Sequence, residues 1–522
     1  PRLEQKLWDG TGEFSSTEVG MVSRQRRKEA AHRRRRIIFN NDGNEVVYLC
    51  KTATPEEVLR CRTSPLVGSH VDSIFYCTWS SGFGLFTHNT KVGEVFTCKQ
   101  GMFADNITRD LIEQGTDPLQ IMVDFCRRND LEIFWSMRMN DTHDAWGGDY
   151  SPYLFPKLKR EHAEYLVGSK EDRPKHGGWT AVDYAHPQVR ELAFRFVEEV
   201  CCGYDVDGVE LDFFRHPTFF KRAAMGLPLG QEELDMMTGL MRRIREVTEE
   251  VAEGRGRPLL VAVRVPDSVE YCRGIGIDLE RWLAEDLVDI LIATGYFRLN
   301  PWEYIVDLGH RYDVPVYACL SESRIPGEAG EVRNSIESYR ARAMKVWDSG
   351  ADGVYMFNFF DPYSPLWREL GDPEILKGLD KVYFVTVRGI GNAGFFLAGG
   401  ERYFRIPILA PQRPLKLEMS RPQVIELPVG DDVLWGKDRG ILPELNLRLQ
   451  VGDLKDAEDI SVELNGELLS GGILSRGWLD YMLKPDLVRK GVNRFKIGVK
   501  PGSGVTPVVF DLQLWIRYRE SS

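Results

Sequence analysis

The sequence contains no apolar run long enough to cross a bilayer, no close metal-ligand spacing and no nucleotide loop, and each absence removes a class of function. A spanning helix needs about 18 or more apolar residues with few charges, and no stretch approaches that. No apolar core follows the basic start of the chain, so a secretory leader is not expected. The nine cysteines are Cys50, Cys61, Cys77, Cys98, Cys126, Cys201, Cys202, Cys272 and Cys319, with none in CxxC spacing and none beyond residue 320. An odd number scattered through apolar segments reads as reduced core thiols and favours a cytoplasmic over a secreted setting. HExxH, GxSxG and P-loop patterns are missing, and Gly274-Ile275-Gly276 is too short to cradle a phosphate. A metal site would have to draw on Asp42, His143, Glu210 and Asp212, for which no ligand spacing speaks. Neither a metal nor a cofactor is therefore expected.

What is present is an ordinary globular composition, 43% hydrophobic and 28% charged over 522 residues. At about 150 residues per domain this allows roughly two to four domains. The net charge of −11 makes the surface a poor partner for nucleic acid or an anionic membrane. Residues 1–36 run against that balance, with 10 Lys/Arg to 5 Asp/Glu and four consecutive arginines, Arg33 to Arg36. No aromatic residues interleave with those arginines as they would in a nucleic-acid surface, so the segment reads as a solvated basic lead-in to the first strand.

From residue 37 short apolar runs recur at 37–40, 73–78, 131–139, 208–214, 259–265, 290–296, 314–320 and 353–359. They are rich in Val, Ile, Phe and Tyr, as strands buried on both faces are. Helical segments at 55–60, 117–128, 187–200, 231–253 and 334–347 fall between them, the first with Thr54 as N-cap and the middle three amphipathic. Eight strands alternating with helices predict an α/β fold, a (β/α)8 TIM barrel over 37–379. After about residue 380 the apolar pattern changes to period two, at 403–408, 415–419, 445–451, 460–464 and 508–518. That predicts a C-terminal β-sandwich domain over 380–522. Residues 79–116 and 140–186 are long loops after strands 2 and 3, on the face where barrel active sites lie. They carry Trp79, Phe83, Phe86, Trp146, Tyr150, Tyr153, Trp179 and Tyr184, a density of rings suited to stacking on sugars.

The candidates for chemistry are the polar residues at strand ends. Strand 1 ends at Asp42; strand 3 leads into Arg138, Asn140, His143 and Asp144; strand 4 carries Glu210, Asp212 and Arg215. Strands 5 to 8 end near Arg264, Tyr296, Glu322 and Asn358. Glu210 and Asp212 stand two apart and point the same way from their strand. Arg138, Arg215 and Arg264 come from three strand ends, and convergent guanidiniums hold a carboxylate, sulfate or phosphate. His143 is flanked by carboxylates that would orient an imidazole.

The segment Asp207-Gly208-Val209-Glu210-Leu211-Asp212-Phe213-Phe214-Arg215-His216-Pro217 resembles the DGIxLDYxRYP strand of glycosyl-hydrolase-like family ten barrels. Within that group the chain is similar to the inverting sialidases of glycoside hydrolase family 156. The resemblance implies a barrel followed by a β-rich domain and a carbohydrate partner, with self-association as a homodimer left open. It implies a catalytic Asp42 and His143, with Arg138 and Arg215 as the arginines and Asn358 as the asparagine that grip the sugar carboxylate. On this basis Asp42 is expected to act as acid and His143 as base, with Asp144 as its orienting partner. Asn140, Glu210, Asp212, Arg264, Tyr296 and Glu322 are expected around the substrate. Two alternatives stand beside this: a glycosidase of a uronide, sulfated or neutral glycan that pairs Glu210 or Asp212 with Glu322, and a glycan-binding protein without catalysis.

Overall fold

The computed structural model describes residues 16–388, 392–419 and 421–518. Eight parallel strands close into one barrel: β1 (Ile37–Asn41), β2 (Val71–Tyr76), β3 (Glu132–Arg138), β4 (Gly208–Asp212), β5 (Leu260–Val265), β6 (Ile290–Ala293), β7 (Val316–Leu320) and β8 (Gly353–Phe357). Each strand pairs with its neighbours in sequence, and β8 returns to β1. Among the helices that wrap it are α1 (Ser16–Ala31), α2 (Pro118–Arg128), α3 (Pro187–Gly203), α4 (Gln231–Arg255), α5 (Trp302–Arg311) and α6 (Ile336–Asp348). Asp117 caps α2, its carboxylate accepting the Gln120 N–H at 3.0 Å, as its place before an apolar-periodic run implies.

The barrel interior is built in layers. At its N-terminal end the buried guanidinium of Arg35 pairs with Glu132 at 2.6 Å, and Ser73 donates to the same carboxylate at 2.5 Å. Above this lies an apolar layer in which Phe75 stacks on Phe134, centroids 4.3 Å apart. Phe134 fits because its neighbour across the register is Gly208, where a Cβ would come within 2.2 Å of the ring. Higher still, Arg138, Asp212 and Arg264 stand level with one another at the ends of β3, β4 and β5. The alternation along each strand thus carries the interior from apolar to charged towards the C-terminal mouth.

Residues 1–15 of the basic lead-in lie outside the described residues; in the rest, Arg24, Arg26, Arg33 and Arg34 are exposed as expected, but Arg27 and Arg35 are buried. Helix α1 lies against the N-terminal end of the barrel, where Arg27 is buried against Asp289 at 2.5 Å and Asp286 at 2.6 Å. Arg27 and Arg35 carry charges that the fold uses internally, which a count of exposed arginines does not reveal.

Beyond the barrel, Lys381–Phe384 joins Glu444–Gly452, Ile473–Ser475, Trp478–Leu483 and Val508–Arg517 in one antiparallel sheet, with Leu415–Lys416 on its flank. Gln423–Val429, Ile460–Leu464, Glu467–Leu468 and Gly491–Val499 form the other. Inward residues such as Leu427, Leu447, Val462, Phe495 and Leu514 fill the space between, so the second unit is the expected sandwich. Two expected strands differ. Residues 404–408 are irregular after a 3-10 turn at Gly400–Tyr403, and 415–419 is a strand only at Leu415–Lys416, with a single bridge from Glu418 to Arg421 beyond it. Strand β6 stops at Ala293, short of the expected 296.

All nine cysteines are free thiols, six of them buried. Among the described residues no helix is long and apolar enough to cross a membrane.

Candidate active site

Asp42 follows β1 and sits in the mouth of the barrel. The turn beyond it depends on Gly43, whose φ of +66° and lack of Cβ let it pass 2.8 Å (measured to an added Cβ) from the Thr78 backbone nitrogen. The chain after β2 answers with three consecutive left-handed residues, Thr78, Trp79 and Ser80. His216 after β4, Thr294 after β6 and Asn358 after β8 are left-handed too. Such conformations persist only where surrounding structure over-determines them, and here they collect at the mouth.

Five side chains meet there. Arg138 Nη2 lies 2.6 Å from Asp42 Oδ1, Asn358 Nδ2 donates to Asp42 Oδ2 at 3.1 Å, and Arg215 Nη2 lies 3.9 Å from that oxygen. The same Arg215 nitrogen is 3.5 Å from Nε2 of His143. Burial opposes the charge on Asp42, but the guanidiniums of Arg138 and Arg215 outweigh it and hold the carboxyl far below the usual range. Asp42 is therefore a carboxylate in the free site. Nε and Nη1 of Arg215 are buried and have no partner among the described residues.

His143 is oriented by Asp141, whose Oδ2 accepts from Nδ1 at 2.7 Å. This is a correction, since Asp144 was the expected partner. Asp144 is fully buried and binds Lys159 at 2.8 Å and Thr180 at 2.5 Å instead. Asp141 also accepts from Arg138 at 3.2 Å and from Ser81, Gly82 and the His143 N–H, each at 3.1 Å. With Nδ1–H spent on Asp141, the lone pair of His143 is on Nε2, which faces Arg215 and the cleft.

Asp141, His143 and His216 also bring three donor atoms within 4.8 Å of one another, the geometry of a metal trio. Hydrogen bonding in the trio points another way. The Thr142 N–H donates to His216 Nδ1 at 2.8 Å, and Asp141 is saturated by donors. Burial and the neighbouring cations keep His216 neutral.

The remaining expected residues support this site from outside it or lie away from it. Asp212 Oδ1 accepts the backbone N–H of Phe214 and of Arg215, both at 3.0 Å, and so shapes the turn that aims Arg215. Arg264 is spent on Asp212, at 2.9 and 2.5 Å, and is fully buried. Glu210 lies one layer lower and accepts from Tyr355 at 2.7 Å; burial and then Asp212 raise its carboxyl above the usual range. Asn140 is structural, donating to Val182 O at 2.8 Å and accepting the Val182 N–H at 3.0 Å. Tyr296 is buried behind the site, stacked on His216 at 6.0 Å. Of the alternative carboxylate pair, Glu322 is 66% exposed and faces Arg324, whereas Glu210 is fully buried against Tyr355 and Asp212 against Arg264.

An open cleft of about 180 Å³ is lined by four of the five, Asp42, Arg138, His143 and Arg215, and walled by Tyr48, Trp79, Phe103 and Tyr150 among others. Of the loop aromatics, Trp79 and Tyr150 reach it. Phe83, Phe86 and Tyr184 pack into the loop cores, Phe83 and Phe86 against Phe196. Tyr48 and Arg62 went unread in the sequence. Arg62 reaches Asn44 at 2.5 Å and Glu45 at 3.3 Å from the last turn of the helix Pro55–Arg62, two residues past the segment read from the sequence.

No family model matches the chain, and no curated protein matches it. Solved structures to which the chain is similar include alpha-L-fucosidase isoenzyme 2 from Paenibacillus thiaminolyticus, 15% identical over 66% of this chain and 49% of that one, TM-score 0.41. A glycoside hydrolase family 18 N-acetylglucosaminidase from Paenibacillus barengoltzii is 14% identical over 65% of this chain and 98% of that one, TM-score 0.36. The GH36 alpha-galactosidase AgaA from Geobacillus stearothermophilus is 10% identical over 90% and 56%, TM-score 0.37. The chain spans about half the length of the first of these, at 49%.

Proposed function

We propose that this chain is a glycoside hydrolase that releases a terminal acidic sugar in a sialidase-like, inverting reaction. The observation that carries the reading is Arg215, whose buried guanidinium leaves Nε and Nη1 unpaired at the barrel mouth beside Asp42 and His143. A guanidinium fork left open in this way suits a planar carboxylate. Asn358 and Arg138, already on Asp42, complete a polar wall, and Trp79 and Tyr150 give the sugar ring faces to pack on.

Inversion needs one group that protonates the leaving oxygen and one that activates water on the opposite face, about 6.5–9.5 Å apart. Charge favours His143 as the acid and Asp42 as the base, an exchange of the roles expected from the sequence. A carboxyl between two guanidiniums keeps no proton to donate, whereas the Asp141 carboxylate stabilises an imidazolium at His143. In the free site Arg215 faces Nε2; once the sugar carboxylate engages Arg215, Nε2 is released to carry the proton.

A glycoside panel followed by anomer-resolved NMR tests the reading. Sialosides should turn over with the inverted anomer as first product. Turnover of uronides or neutral glycosides but no sialoside removes the acidic-sugar assignment, and the retained anomer removes the mechanism. Binding of intact sugar without turnover leaves a glycan-binding protein. The roles separate with leaving groups: His143→Ala should lose far less rate on an activated aryl sialoside than on an alkyl one, because a good leaving group needs no acid. Equal losses overturn His143 as the acid.

A further inference from the structure

A second cavity, with no lining residue in common with the cleft, lies between the C-terminal ends of β6 and β7, helix α6 and the segment after Lys381–Phe384. It is small, about 70 Å³, and mainly apolar, with Val385 and Ile406 in its wall. Four cations line it: Arg298, Arg342, Lys345 and Arg388. All three guanidinium nitrogens of Arg388 are buried without a hydrogen-bond partner among the described residues, as is Nη1 of Arg342. The other terminal nitrogen of Arg342 donates to the Ser321 carbonyl at 2.7 Å.

Carboxylates act on Arg298 and Lys345, but none is among the main groups that act on Arg342 or Arg388. The carboxylates are Asp267 and Glu303 at Arg298, and Glu303 and Asp348 at Lys345. Asp267 is taken by the backbone N–H groups of Leu299 and Asn300, and Asp348 by Lys490 at 2.6 Å. The side chains that act most on Arg388 are Arg324, Cys319, Arg342 and Tyr296, with no acid among them. An uncompensated buried guanidinium is strongly unfavourable. Two of them turned to one cavity offer a preformed set of donors for an anion.

We infer that this cavity binds an oxyanion-headed ligand with an apolar body, its head held by Arg388 and Arg342 and its body by the apolar wall. The cavity shares no lining residue with the cleft of the proposed hydrolase centre, although Arg388 and Arg215 stand 6.0 and 5.9 Å from the Tyr296 ring, and the inference does not rest on that reading.

Thermal unfolding of the full chain at constant ionic strength, with inorganic phosphate as the head alone and octanoate as a head with an apolar body, tests it. A ligand that binds only the folded state raises Tm with concentration. Octanoate should raise Tm at lower concentration than phosphate. A rise with phosphate alone would keep the anion site and overturn the apolar body. Arg388→Met should raise Tm without ligand, by removing an unpaired charge, and abolish the ligand-dependent rise. Arg342→Gln, a milder change that serves if the first variant does not fold, should weaken binding about tenfold, as loss of a charged hydrogen bond does. No rise with either probe in the wild type, or an equal rise in both variants, overturns the inference.

Discussion

Asp141 and Asp144 flank His143 and do different work, which single substitutions can separate. Asp141→Asn replaces the acceptor of the Nδ1 proton with a group that can donate, so the imidazole loses its tautomer and its charge partner. The expected outcome is a fall in kcat of about 10²–10⁴ with folding intact, read from steady-state kinetics beside a circular dichroism spectrum. Asp144→Asn should leave kcat nearly unchanged and lower Tm, since it strips the buried Lys159 of its counter-charge. Asp42 gives a second residue-scale expectation. Its folded-state value lies below the unfolded one, so its stabilising contribution is present above the unfolded value, about 4, and is lost as pH falls below that. Asp42→Asn should therefore be destabilised at neutral pH, and its deficit against the wild type should shrink in acid, measured by denaturant unfolding across that range. The meeting of Asp42, Arg138, His143, Arg215 and Asn358 at the mouth was legible because each is a polar residue at or past the end of an apolar strand, where a barrel turns its side chains to the mouth. Asn140 and Asp144 carry the same local signature. Only the path of the loop to Val182, Lys159 and Thr180 shows that they stitch it together, and no spacing encodes that path.

Elements were legible to the extent that their burial was simple. The barrel strands are apolar on both faces, so each reads as a short run whatever its register, and all eight lie where such runs occur. In the sandwich the period-two pattern of Glu444–Gly452 matches its alternating burial. Residues 403–408 show a similar alternation but bury their apolar side chains in loops against the barrel, where Phe404 and Ile406 line the second cavity, and pair with nothing. Period alone cannot distinguish the two, because a ladder partner is a tertiary fact. The pairing of β3 with β4 makes the corresponding test at element scale. Gly208 stands where a Cβ would sit 2.2 Å from the Phe134 ring, which the stacked Phe75 holds from the other side. Gly208→Ala should cost about 1–3 kcal/mol, as overpacking does, seen as a lower denaturant midpoint with unchanged slope. Phe134→Leu in the same chain should return part of it. An alanine variant as stable as the wild type would mean that the apolar layer yields more than the closed barrel suggests.

At the scale of the whole molecule, barrel and sandwich are joined by charge as well as by chain. Arg333, at the end of the helix Glu328–Arg333 before α6, pairs with Asp511 in the strand Val508–Arg517, at 2.6 and 2.8 Å. Both residues are fully buried, and Arg333 also donates to the Thr386 carbonyl at 2.9 Å, in the segment that leaves the barrel. A buried pair of this kind adds little over apolar residues of the same shape, but removing one partner leaves an uncompensated charge and costs about 3–5 kcal/mol. Asp511→Ala should therefore lower Tm markedly. Arg333→Met with Asp511→Leu should recover most of the loss, because the desolvation penalty disappears together with the attraction. The route of unfolding carries the stronger information. The pair spans the junction, so the single variant should uncouple the two units and split one calorimetric transition into two, whereas the double variant restores one. A single transition in all three chains would show that the apolar contact between α6 and Lys381–Phe384 suffices to couple barrel and sandwich, leaving the ion pair to set their register.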